Sequence, residues 1–99
     1  MALFLVQHQH SPESCPAGNR EMVQQLAAHV SPENAGNFGI KVLADSVLQG
    51  EHALLLVLEA ESQETIERFV QPFRGVGSVT VKPNLTCGQV AAGLGSCAG

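Results

Sequence analysis

Four short strand-like stretches rich in apolar residues, interrupted twice by stretches at helical spacing, predict an α+β fold built on a βαββαβ plan. A tight turn at Gln49-Gly50-Glu51 joins the second and third strands directly and makes that pair antiparallel. Together these features give the ferredoxin-like, split-βαβ arrangement: a four-stranded antiparallel sheet in the order 4-1-3-2, with two helices on one face.

The first strand, residues 2–9, begins apolar at Phe4-Leu5-Val6 and turns polar at Gln7-His8-Gln9. Strand side chains alternate, so His8 and His10 continue the row of Phe4 and Val6. A helix from Pro16 to His29 follows, with Ser14 or Cys15 as its N-cap and a proline in its first turn. Val23, Leu26, Ala27 and Val30 fall at i, i+3, i+4 and i+7 and predict one buried stripe. Residues 31–37 break the pattern and read as a loop with room for one helical turn.

The second strand is expected from Phe38 to Leu48, with Val42, Ala44 and Ser46 on one side and Leu43, Asp45 and Val47 on the other. The third returns from His52 to Ala60. Ser62 caps a second helix, Gln63 to Phe73, whose stripe is Ile66, Phe69, Val70 and Phe73. Val76 to Lys82 is the last strand, ended by Pro83. Residues 1–85 make the domain. Residues 86–99 are a tail carrying Cys87 and Cys97, with a short helix over Thr86–Ala92 and then a glycine-rich end.

The chain has 99 residues, enough for one core. Its five basic residues are scattered and its net charge is −4, which argues against nucleic acid or an anionic membrane as partner. No stretch approaches the length of a membrane-spanning helix, and Met1 to Val6 lacks the basic leader of a signal peptide, so the expected location is the cytoplasm. Three cysteines are an odd number and fit free thiols or metal ligands better than a disulfide framework.

The third strand contains six consecutive apolar residues, Ala53 to Leu58, where a sheet with one wet face would alternate. Two helices cover only one face. The other is expected to be covered by a second copy, giving a homodimer or a higher homo-oligomer.

Gly50-Glu51-His52, Leu58-Glu59-Ala60-Glu61-Ser62 and Gln71-Pro72-Phe73 before a valine-rich last strand resemble small bacterial members of the dimeric α+β barrel superfamily, near which small nickel-binding proteins also fall. The resemblance spans about residues 1–85 in layout. It implies the paired sheet but not one activity, because that superfamily hosts haem oxygenases, cofactor-free monooxygenases, isomerases and metal binders.

Histidine and cysteine carry the chemistry. His8 and His10 emerge on one side of a strand end, and the 4-1-3-2 order brings the start of the third strand, with His52, beside them. Three imidazoles suit copper, zinc or nickel, and Cys15 is a candidate fourth ligand. At a helix N-terminus the macrodipole and free N–H groups would favour its thiolate. His29 is assigned a structural role, while Glu13 and Glu51 are candidates to orient the histidines from outside.

Two functions follow. The first is a small metal-binding protein for sequestration, delivery or sensing. The second is an enzyme in which His8 or His10 acts as general base on a small organic substrate in a pocket between sheet and helices. A metal protein should show histidines facing one another without a cavity, and an enzyme an apolar cavity with a histidine at its mouth. A scaffold whose histidines do nothing is the third alternative.

Overall fold

The computed structural model describes residues 1–98. Strands β1 (Ala2–Gln9), β2 (Lys41–Leu48), β3 (Ala53–Ala60) and β4 (Ser78–Asn84) form an antiparallel sheet in the order β2-β3-β1-β4, compatible with the ferredoxin-like plan. The helices are α1 (Arg20–His29), α2 (Pro32–Gly36), α3 (Gln63–Phe69), α4 (Gln71–Arg74) and α5 (Cys87–Ala91). Among the described residues no helix is long and apolar enough to cross a membrane.

The core lies where α2 and α3 meet the sheet. Phe4 and Val6 from β1 and Leu56 and Leu58 from β3 share one face, and Ile66, Phe69 and Val70 are fully buried against it. The expected stripe of the second helix is therefore buried to its last member, Phe73. The helix itself is broken at Val70. Pro72 has no N–H to return to the preceding turn and its ring crowds that turn, so the chain restarts as α4.

The first helix departs from expectation twice. It begins at Arg20, because the Asn19 side chain accepts from the Met22 N–H at 3.1 Å and makes the stronger cap. Pro16–Gly18 is a separate 3-10 turn, and Cys15 before it makes no side-chain cap. A glycine at 18 would have cost a continuous helix about 1 kcal/mol. The second departure is larger. The stripe of Val23, Leu26, Ala27 and Val30 is not buried: α1 contributes no buried residue, and Val23 is 38% exposed.

The single helical turn that the loop before β2 allows is present as the short α2, with Ser31 accepting from the Asn34 N–H. Strand β2 then starts at Lys41, three residues later than predicted, after Gly39 turns the chain at φ +76°. It also carries a bulge at Leu43: Val42 pairs with Leu58, but the next partner of Val57 is Ala44. From there the faces are exchanged. Asp45 and Val47 lie opposite Leu56 and Leu54 and share the helix-covered face with Val42, contrary to the strict alternation read from the sequence. Pro83 does not end β4, since it pairs with Phe4 on an edge strand, where a missing donor is tolerated.

The opposite face of the sheet carries Leu3 and Leu5 of β1 and Leu55 and Val57 of β3, all half-buried. Thr86 and Gln89 of the tail border it beside Leu3 and Val57. The predicted tail helix is present as α5, closed by a reciprocal capping box between Thr86 and Gln89. Cys15, Cys87 and Cys97 are all free thiols.

Candidate metal centre

The end of β1 and the starts of β3 and β4 meet at one pole of the sheet, where Gln9 pairs with Ala53 on one side and Ser78 on the other. Two bonds lock the β2–β3 turn onto β1 there: the His10 N–H donates to the His52 carbonyl at 3.1 Å, and Gln9 Nε2 to the Glu51 carbonyl at 2.7 Å. Gly50 at φ +81° and His52 at φ +54° turn the chain in the left-handed region. For a non-glycine residue that conformation is uncommon, and histidine is one of the types that tolerates it. The turn thereby fixes His52 against His10.

The ring centroids of His10 and His52 are 5.3 Å apart in an edge-to-face arrangement, and those of His8 and His10 are 5.2 Å apart. Cys15 comes in from the segment after β1. One ligand atom each from His10, Cys15 and His52 lies within 4.8 Å of the others. Ligand atoms around a tetrahedral zinc stand about 3.3–3.8 Å apart for bonds of about 2.0–2.3 Å, so modest side-chain rotation closes the group. Both nitrogens of His10 are buried without a hydrogen-bond partner. An imidazole in that condition is a donor set waiting for an acceptor or an ion.

His8 belongs to the pole but not to this group of three. It is 2% exposed, edge-on to Phe73 at 5.2 Å, and its Nε2 faces Gly77. A Cβ at position 77 would lie 2.8 Å from that nitrogen and 2.3 Å from the Gln9 carbonyl oxygen, so only glycine fits there. Burial lowers the pKa of His8 from the ordinary 6.5, the neighbouring His10 lowers it further, and the backbone at Phe73 and Val76 acts against both. His10 is lowered too, by burial and then by His52. Neutral imidazoles are the form that coordinates metal.

Cys15 joins the group from ahead of a 3-10 turn and not of the long helix, contrary to the expected helix N-terminus; the remaining candidates fall elsewhere. Glu13 and Glu51 are exposed. His29 is structural: its Nε2 contacts the Phe69 carbonyl and its Nδ1 the Asn34 amide, while its ring stacks on Phe69. Cys87 follows β4 at the pole opposite His10, since Asn84 pairs with Leu3.

Beside the cluster lies an apolar cavity of about 580 Å³, open to solvent on one side. Val23, Leu26, Ala27 and Val30 of α1 form one wall, Val47 and Leu54 of the sheet another, and His8, His10, Cys15 and His52 line its end. The two features expected to tell a metal protein from a pocket enzyme are thus present together. Val47 and Asp45 in this wall escape sequence reasoning, because no glycine or proline marks the bulge that puts them on the helix-covered face, where both stay exposed.

Residues 2–97 match a domain of unknown function (DUF3303), and the chain belongs to that family. Neither the curated proteins nor the solved structures contain a match to the chain.

Proposed function

We propose that this chain is a small transition-metal-binding protein in which His10, Cys15 and His52 hold one ion. The observation that carries the reading is the convergence of three donor atoms, from three separate segments, within 4.8 Å. Thiolate together with imidazole favours copper or zinc over nickel. His8 packs beside His10, with ring centroids 5.2 Å apart. Three protein ligands leave one position of a tetrahedral ion open, on the side where all three residues line the cavity.

The test is thermal unfolding of metal-free protein with zinc, copper or nickel added. At one hundred times Kd the stabilisation is about 2.7 kcal/mol, a rise of roughly 10–20 °C for a chain of this size. Cys15→Ser and His52→Ala should each remove most of it. No shift with any of the three metals defeats the reading.

The cavity favours a second reading, an enzyme of the dimeric α+β barrel kind with His10 as general base. Its lowered pKa keeps that ring unprotonated near neutral pH. Turnover that survives exhaustive chelation would favour this reading over the first.

We also propose that the outer face pairs with a second copy. Support comes from the row of Leu3, Leu5, Leu55 and Val57, half-buried on the face opposite the α3 core and bordered by α5. Sedimentation should show a dimer that Leu5→Lys with Val57→Lys converts to monomer. The three free thiols fit a reducing compartment such as the cytoplasm.

A further inference from the structure

Helix α1 has the sequence of a core helix and the burial of a surface one. Its apolar stripe of Val23, Leu26, Ala27 and Val30 faces a space of about 580 Å³, within the range of small-molecule sites, where tight packing would have been expected. An apolar wall left in contact with water forfeits the burial that usually holds a helix to its sheet. The chemistry of the end wall is equally specific. His10 offers two buried nitrogens without partners, and His8 is almost wholly buried beside it with an unpartnered Nε2.

Charge narrows the occupant. No lysine or arginine lines the cavity among the described residues, and the one carboxylate there is Asp45. The buried nitrogens without partners there belong to His8 and His10. An anion entering this space would lose its hydration and meet no countercharge. A neutral imidazole, by contrast, both donates and accepts, and satisfies a hydroxyl or a carbonyl equally well.

We propose that the cavity beneath α1 binds an uncharged, mainly hydrocarbon molecule, about the size of two fused rings, that presents a single hydroxyl or carbonyl oxygen to the histidine end. The proposal uses the same pole as the metal reading but does not need the ion. It names the class of molecule that an ion there would meet.

The test uses the full chain stripped of metal by chelation, with 1-naphthol, naphthalene and 1-naphthoate as probes of one shape and three head groups. Methyl resonances of Val23, Leu26, Ala27 and Val30 report occupancy, and calorimetry gives Kd. Saturable binding of 1-naphthol is expected at these methyls. Naphthalene should bind roughly tenfold more weakly for want of the hydrogen bond, and 1-naphthoate most weakly of all. Leu26→Trp and Ala27→Phe, which fill the space from a helix that buries nothing, should each weaken 1-naphthol at least about tenfold while leaving zinc uptake unchanged.

Absence of 1-naphthol binding would overturn the proposal. So would binding that both folded variants leave intact, or 1-naphthoate binding as tightly as 1-naphthol. Methyl shifts that respond to protein dilution and ignore 1-naphthol would assign the space to a second copy and overturn it equally. Because every titration with 1-naphthol, naphthalene or 1-naphthoate is made without metal, failure here leaves the metal centre standing, and failure of metal uptake leaves the naphthol result intact.

Discussion

The two halves of the helix-covered face are built from similar patterns and reach opposite ends. Under α3, Ile66, Phe69 and Val70 meet Phe4, Val6, Leu56 and Leu58, with no member of the helix stripe left in water. Under α1, Val23, Leu26 and Ala27 stand across a gap from Val47, while Val30, just past the helix end, packs against the core. The difference is volume. The α3–α4 stripe includes two phenylalanines, whereas the α1 stripe has one leucine, two valines and an alanine. Spacing decides which side of a helix turns inward, but side-chain bulk decides whether that side touches anything. The filled half holds the fold together, and the hollow half holds the unpartnered imidazoles.

The sharpest way to break this contrast is to truncate one side chain from each half. Phe69→Ala should cost about 3–5 kcal/mol, read as a shift in denaturant midpoint. A domain of this size has about 5–15 kcal/mol in total, so the variant should be close to unfolding. Gly77→Ala comes next, at about 1–3 kcal/mol, because the added carbon would collide with the Gln9 carbonyl and must displace backbone. A cost near zero there would mean that the pole carrying His8 is looser than its contacts imply.

The third prediction separates the halves by pH. In the folded, metal-free chain both His8 and His10 have pKa values below the ordinary 6.5, so the unfolded chain binds more protons as pH falls. The stabilisation is complete above about 6.5 and is lost as pH drops through the folded values. Amide protection, measured relative to the intrinsic exchange rate at each pH, should therefore fall on acidification at the β1 end and the β2–β3 turn before it falls under α3. Uniform loss of protection would refute the division. The smallest effect is expected from Leu26→Ala, below about 1 kcal/mol, since the side chain borders space already open. A loss as large as that from Phe69→Ala would mean that α1 closes onto the sheet in solution.

Much of this is legible in the residues alone, for identifiable reasons. Strand order follows from the short turn at Gly50 and the two crossovers, and that order alone brings His52 to His10. The stripe of Ile66, Phe69, Val70 and Phe73 is legible because bulky residues recur at helical spacing. The start of α1 is not, because Pro16 is a good first-turn residue, yet Asn19 caps better three residues on. The face of β2 is hidden because a bulge needs no special residue, and nothing in Lys41-Val42-Leu43-Ala44 announces one. The hollow itself cannot be read from spacing, since a gap depends on how far a helix stands from its sheet.

The bulge at Leu43 has an effect beyond putting Asp45 on the helix-covered face. It sits on one lateral margin of the sheet, while Pro83 and Lys82 occupy the other. A neighbouring chain seeking to extend the ladder would find its run of amide partners interrupted on either flank. The protein is thereby shielded from open-ended strand-by-strand growth, and any self-association is steered toward closed, countable assemblies.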